Sequence, residues 1–326
     1  MNSLPVKIIA AIQLVLAAGS VSAQDASYPV KPLRIVSPLG VGSGVDVFRR
    51  VMAEAIAKQI GQPVVVESRP GAGEVVAAQT VAKATPDGYT LLCATNAILF
   101  VKHMQSDIGY DPFADFAPIT TTNTAGMALV VRADAGAMRV EELVASAKAR
   151  PGKMNYAAGG MGSPPHLSGA AFQSVAAINT VPVPFKGTSE APLALMRGDV
   201  DYYFTNFSNV QSQIAAGKMR VLAVTSAARN NRIPEVPTLR EVLKSDLSVQ
   251  DYWTGLWAPA KTPAAVVRRL HAATVTAMAD SAMVKYTEAA GGSVTTSDSP
   301  EAFAAYMRRE DVKWKEIVRL AGAKTN

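Results

Sequence analysis

Along this chain short apolar runs end in glycine-containing loops, and each loop opens into a stretch whose apolar residues return at helical spacing. The first unit is Arg34-Ile35-Val36-Ser37-Pro38-Leu39-Gly40-Val41-Gly42-Ser43-Gly44-Val45-Asp46. Val45, Phe48, Met52, Ala55, Ile56 and Ile60 then recur with a helical period, and Gly61 stops the helix. A strand from Val64 to Glu67 follows. Arg69-Pro70-Gly71-Ala72-Gly73 makes a second glycine loop, Glu74 to Ala84 a helical stretch, and Pro86-Asp87-Gly88 a turn before a strand from Tyr89 to Thr95. The pattern is βαβαβ, which predicts parallel pairing with both sheet faces covered.

The pattern restarts after Asp115-Phe116-Ala117-Pro118. Strands are predicted at Ala128 to Arg132, Met154 to Ala158, Thr180 to Pro184, Val200 to Thr205 and Met219 to Ser226. Helices are predicted at Val140 to Ala149, Pro164 to Ala176 and Glu190 to Met196, with a short helix ending at Ala216. From Ala264 onward the chain reads as helical (Ala264 to Asp280, Ala282 to Ala290, Pro300 to Ala321), with a short strand from Ser293 to Thr296. Such a tail has no sheet of its own and must pack on an existing lobe. The chain is therefore expected to cross between two lobes twice, near Met127 to Val131 and near Trp253 to Trp257, which forms a hinge with a cleft beside it. Lobe 1 is expected at 24–127 plus 257–326 and lobe 2 at 128–256.

The N-terminus sets an expectation about compartment. Lys7 is the only charge before an apolar core from Ile8 to Ala18, and Val21-Ser22-Ala23 supplies the small residues of a cleavage site after Ala23. That apolar segment is too short to span a bilayer, which takes roughly 20 residues. With 49% hydrophobic and 18% charged residues, the chain can bury a large core. Loss of residues 1–23 removes one lysine and no acid, lowering the formal charge from +6 to +5. The basic residues are scattered, which suits attraction of small anions and argues against a nucleic-acid stripe. The single Cys93 lies in the apolar run YTLLCAT and reads as a buried, inert thiol.

The glycine loops follow strands, so they belong at the carboxyl edge of a sheet, where open α/β sheets bind ligands. A loop leading into a helix N-terminus offers backbone N–H groups and a dipole to a small anion; equally, its glycines serve a tight turn. Gly40, Gly42 and Gly44 miss the dinucleotide spacing because Val45 stands where a third glycine is needed. Asp46 at the helix start either caps it or organises the loop. In Gly160-Met161-Gly162-Ser163-Pro164-Pro165-His166, Ser163 takes an N-cap position. Ser163 and His166 invite a nucleophile reading, but no orienting third residue accompanies them. His103 and His271 form no metal-ligand spacing with a cysteine or another histidine, so no metal or cofactor is expected. Thr95 and Asn96 end one strand and Thr205 and Asn206 another, so both pairs belong at the carboxyl edge. Lys186 in Phe185-Lys186-Gly187-Thr188 is the one cation beside a cleft loop. Phe204, Phe207 and Trp257 read equally as an apolar ligand wall or as core.

The segments YPVKPLRIVSPLGVGSGVD (28–46), GQPVVVESRPGAG (61–73), MGSPPHLSG (161–169), VPFKGTSEA (183–191), GDVDYYF (198–204) and WTGLWAPAKTP (253–263) resemble the substrate-binding receptors of tripartite tricarboxylate transporters, the Bug family. The similarity runs from Tyr28 nearly to the C-terminus. It implies an α/β, type II periplasmic binding protein: two Rossmann-like lobes with mixed sheets, joined by two crossover segments. Such a protein captures an organic carboxylate and hands it to membrane permease subunits, with no catalytic residues and no nucleic-acid partner, and is expected to act as a monomer. On this resemblance the solute contacts are Leu39, Gly42, Ser43, Gly44, Asp46, Thr95, Asn96, Met161, Gly162, Ser163, His166, Lys186, Thr205 and Asn206. The chain departs from the family pattern in two places. Pro38-Leu39-Gly40-Val41-Gly42-Ser43-Gly44 replaces P-F-x-P-G-G, and Gly73-Glu74 stands where the second loop often ends in Gly-Gly. Two other classes remain as alternatives: a secreted serine hydrolase using Ser163 and His166, and a ligand-sensing input to a membrane kinase.

Overall fold

The computed structural model describes residues 28–40, 44–160, 162–185, 190–289 and 291–323. The expected signal peptide, Gly42, Ser43, Met161 and Lys186 lie outside the described residues. The first sheet is entered through β1 (Leu33–Ser37), α1 (Gly44–Ile60), β2 (Val64–Ser68), α2 (Val75–Ala82), β3 (Thr90–Thr95), α3 (Ala97–Met104) and β4 (Phe116–Ala125). The second holds β5 (Ala128–Arg132), α4 (Val140–Ala149), β6 (Asn155–Ala158), α5 (Pro164–Ala176), β7 (Val181–Pro184), α6 (Glu190–Arg197), β8 (Tyr202–Thr205), α7 (Phe207–Ala215) and β9 (Met219–Val224). After α8 (Leu239–Leu243) the chain rejoins the first sheet with β10 (Tyr252–Pro259), then runs through α9 (Ala264–Met278), α10 (Ser281–Ala289), β11 (Ser293–Val294) and α11 (Pro300–Leu320).

The strand orders are β11-β4-β10-β3-β1-β2 and β7-β6-β8-β5-β9. β1 pairs in parallel with β2 and β3, while β10 runs antiparallel to both β3 and β4. In the second sheet β6 is parallel to β7 and β8, and β5 is antiparallel to β8 and β9. Both sheets are therefore mixed. Alternation of side chains across each strand feeds two separate cores. Ile35, Leu91 and Cys93 pack with Phe48, Met52 and Ile56 of α1, whereas Val36, Leu92 and Ala94 face Val81, Ile98 and Phe303. The same alternation separates Tyr202 from Tyr203: Tyr202 stacks on Tyr156 and Tyr203 joins Val130 and Leu195 on the other face. Phe204, Phe207 and Trp257 are core residues.

The first crossing falls at Gly126 and Met127. The second is displaced from its expected place: Trp253 to Trp257 lie inside β10, paired with β4, and the crossing is at Gln250 and Asp251. Met127, Thr225 and Gln250 are stitched together there, with Thr225 N–H donating to Met127 O, Met127 N–H to Thr225 Oγ1, and Gln250 N–H to Thr225 O, all at 2.8 Å. A Cβ on Gly126 would collide with the backbone of Ser226, so the two crossing segments touch because this position has no side chain.

The C-terminal helix packs on both lobes rather than one. Phe303 and Met307 of α11 belong to the first-sheet core, while Trp314, Ile317 and Val318 pack with Phe100 of α3 and with Leu167 and Ala171 of α5. Trp314 stacks on Phe100 with ring centroids 4.9 Å apart. Glu310 Oε2 accepts from the indole N–H of both Trp253 (3.1 Å) and Trp314 (3.0 Å), and its other oxygen pairs with Lys313 at 2.7 Å. A buried carboxylate is retained here because each of its oxygens has a partner.

Candidate functional site

A cavity of about 570 Å³ lies between the two sheets, beside the crossings. The first lobe supplies Gly73, Glu74, Thr95, Phe100, Val101, Met104 and Asn123; the second supplies Gly160, Gly162, Ser163, Pro164 and Asn206. Met127, Tyr252 and Thr254, at or next to the crossings, complete it. A smaller pocket of about 270 Å³ on the second lobe shares Met127, Gly160, Ser163, Pro164 and Asn206 and adds Tyr203 and Thr205. Strand ends and loop starts from both sheets thus meet at one place, as expected for α/β sheets that bind at their carboxyl edges. The larger volume is in the range of small-molecule sites.

The structure brings Thr95, Gly162, Ser163 and Asn206 to the larger cavity and Thr205 to the smaller one. Other expected contacts lie elsewhere. Asn96 is fully buried; its side-chain amide donates to Asp251 O (3.0 Å) and its backbone N–H to Trp253 O (3.0 Å), so it fastens β3 to the second crossing. His166 is also buried, and its Nδ1 accepts from Gly162 N–H at 3.2 Å, so it holds the loop in shape from behind. Burial pushes the His166 pKa below its usual 6.5, in keeping with a neutral imidazole accepting at Nδ1. Asp46 is buried in the first turn of α1, paired with Arg50 at 3.0 Å. Leu39 lies outside the residues lining either pocket. Gly44 opens α1, where its N-terminal position is a backbone feature.

Ser163 sits at the N-cap of α5, yet its side chain makes no capping hydrogen bond. Its Oγ is buried and has no hydrogen-bond partner among the described residues. It packs on Gly159, where a Cβ would approach Ser163 Oγ to 2.7 Å. Pro164 and Pro165 remove two of the N–H groups that a helix start normally leaves open, so α5 presents fewer donors than its position suggested. Gly162 has φ +75°, and a Cβ there would meet Met104 Sδ of the opposite lobe at 2.5 Å. The glycine is needed both for the turn and for the close approach of the lobes.

Two features escaped sequence reasoning. The second glycine loop, rather than the described part of the first, forms the first lobe's wall. Gly71, Ala72, Gly73 and Glu74 all have positive φ (144°, 47°, 64° and 81°), a strained run for the two that carry a Cβ, about 1–2 kcal/mol each. Glu74 is buried, and its carboxylate accepts from Thr95 N–H and Thr95 Oγ1, both at 2.9 Å. Burial raises its pKa, with Arg49 and the Thr95 hydrogen bonds opposing. Arg49 is fully buried, and its Nη1 donates to Ser37 Oγ at 2.8 Å. The signal was present: Arg49 stands four residues after Val45 and three before Met52, on the apolar stripe of α1.

Two α/β lobes, two crossings and a cavity walled by both define a two-lobed solute-binding receptor. Residues 47–322 match the tripartite tricarboxylate transporter family receptor, and the chain belongs to that family. It is 37% identical over 281 residues to a UPF0065 protein of Bordetella pertussis, covering 85% of each chain, and 30% identical over 324 residues to Protein BugT of the same organism, covering 98% of each. Among solved structures, the periplasmic binding protein BugD superposes with a TM-score of 0.73 at 30% identity, covering 92% of this chain and 100% of that one. Rpa4515 of R. palustris, solved with adipate, gives 0.75 at 26% identity, covering 91% and 99%. MatC of Rhodopseudomonas palustris, solved with bound malate, gives 0.69 at 28%, covering 89% and 100%. The family is one of solute-binding receptors, so the hydrolase alternative falls; Ser163 and His166 are parts of a loop and a helix start.

Proposed function

We propose that this receptor is exported, with cleavage after Ala23, that it closes its two lobes around an organic carboxylate, and that as a monomer it delivers the solute to tripartite tricarboxylate transporter permease subunits. The carrying observation is the cavity of about 570 Å³ whose walls come from both sheets and whose side meets the crossings. Relatives solved with adipate and malate support a carboxylate as the solute class. On this reading Thr95, Asn206 and the Gly160 to Pro164 loop contact the solute. Gly42, Ser43, Gly44, Met161 and Lys186 are kept as candidate contacts from the sequence alone, and His166 holds the shape of the Gly162 loop. Residues on both sides of Met127 and Gln250 move as bodies about the crossings.

A thermal-shift screen of organic acids tests it. A solute that binds only the folded chain raises Tm with concentration, contributing about 2.7 kcal/mol at a hundredfold excess over Kd. If no mono-, di- or tricarboxylate shifts Tm, the proposal fails.

A further inference from the structure

Among the described residues, the side-chain charge on the cavity wall is that of a carboxyl group. Among the described residues that line it, Glu74 is the only one with a charged side chain, and no lysine or arginine faces it there. Both Glu74 oxygens are held as acceptors by Thr95, one by the backbone N–H and one by the hydroxyl. A carboxyl group fixed by two donors is oriented to receive further donors on its remaining lone pairs. Arg49, whose charge opposes the effect of burial on Glu74, is bonded to Ser37 and is too deeply buried to reach a solute.

A second carboxylate placed against this group in a largely apolar enclosure would be repelled strongly. A protonated amine would instead complete the pair and offset the burial that disfavours the ionised carboxyl group. The rest of the wall, with Phe100, Val101, Met104 and Ala125, suits an apolar carbon skeleton between two polar ends. The left-handed backbone at Glu74 adds a second argument. A φ of 81° would favour glycine, so the side chain is carried at a conformational cost at a position that lines the cavity between the lobes.

We propose that Glu74 determines solute specificity, and that the preferred solute is a zwitterion, an organic carboxylate carrying a protonated amine that docks on Glu74. This rests on the carboxylate-receptor reading above and narrows it.

Isothermal titration with the full chain tests the assignment, using amino acids with the amine at the α or terminal carbon, each matched to its des-amino acid and to the dicarboxylate of equal chain length. The expected result is one amino acid bound at least about tenfold more tightly than both matched acids, a difference of about 1.4 kcal/mol. Glu74→Gln should abolish that preference. Glu74→Gly, which accepts the positive φ without strain, should abolish it too while improving dicarboxylate binding, so a folding defect in one variant leaves the other informative. If the dicarboxylates or des-amino acids bind the native chain as tightly as the amino acids, and neither variant changes the ranking, the specificity assignment is overturned while the receptor reading stands. If no carboxylate of any kind binds the native chain, both are overturned.

Discussion

Thr225 and Met127 exchange two hydrogen bonds across the crossings: the backbone N–H of Thr225 donates to Met127 O, and the backbone N–H of Met127 donates to Thr225 Oγ1, both at 2.8 Å. The same hydroxyl donates to Gln250 O at 3.0 Å. One side chain thus satisfies a donor on the outgoing segment and an acceptor on the returning one. Thr225→Val keeps the shape and removes both bonds, leaving the buried Met127 N–H without a partner. We expect a loss of about 1–3 kcal/mol in urea unfolding with an unchanged m-value.

Gly162 and Met104 meet from opposite lobes. Gly162→Ala adds a methyl where φ is +75° and where Met104 Sδ would stand 2.5 Å away. Roughly 1 kcal/mol of backbone strain should appear in the unfolding curve. Solute affinity should drop about tenfold, because the lobes are propped apart. Met104→Ala in the same chain should restore affinity but not stability; if affinity stays low, the contact is not what limits closure.

Glu310 joins α11 to β10 through two indole N–H groups. Glu310→Ala strands both donors in the core, and a loss of about 2–4 kcal/mol is expected from calorimetry. Trp253 and Trp314 should also become more accessible to a fluorescence quencher. Glu310→Gln, which keeps an acceptor oxygen, should recover more than half of the loss.

Glu74 sets a pH dependence whose sign is fixed by burial. Its carboxyl pKa in the fold is raised above the ordinary 4.5. Below about pH 4.5 the group is protonated in folded and unfolded chains alike, and it costs nothing. As pH rises through the raised value, the unfolded chain ionises first and stability is lost. The stability of Glu74→Gln minus that of the native chain should therefore grow with pH from about 4.5 upward and then level off. A difference that shrinks over this range would mean that Arg49 and Thr95 outweigh burial.

Much of the fold was legible because punctuation is strong where the strands and helices end. Pro151-Gly152 closes α4 at Ala149, and Ser163-Pro164-Pro165 opens α5, so both helices have the bounds their sequence predicts. α3 went unread because Ile98, Leu99, Phe100 and Val101 are four consecutive buried apolar residues covering a full turn, enclosed between α11 and the sheet, and such a run in a short helix has no period to detect. β4 was hidden for the opposite reason. Its Thr120, Thr121 and Thr122 are buried polar residues near one edge of the sheet, where pairing with β10 supplies backbone hydrogen bonds that composition does not advertise. At the cavity, strand-end logic placed Thr95, Thr205 and Asn206. It could not tell that Asn96, one residue on, turns inward to Asp251, since that depends on a segment 155 residues away.

The span of α11 from the Phe303 core to the Phe100, Trp314 and Leu167 cluster has a mechanical consequence. Any widening of the cleft must either shear this helix along one lobe or peel its last turns from the other, so the C-terminus behaves as a tether that limits amplitude. The receptor's range of motion is written into one late helix, far along the chain from the loops that line the cavity.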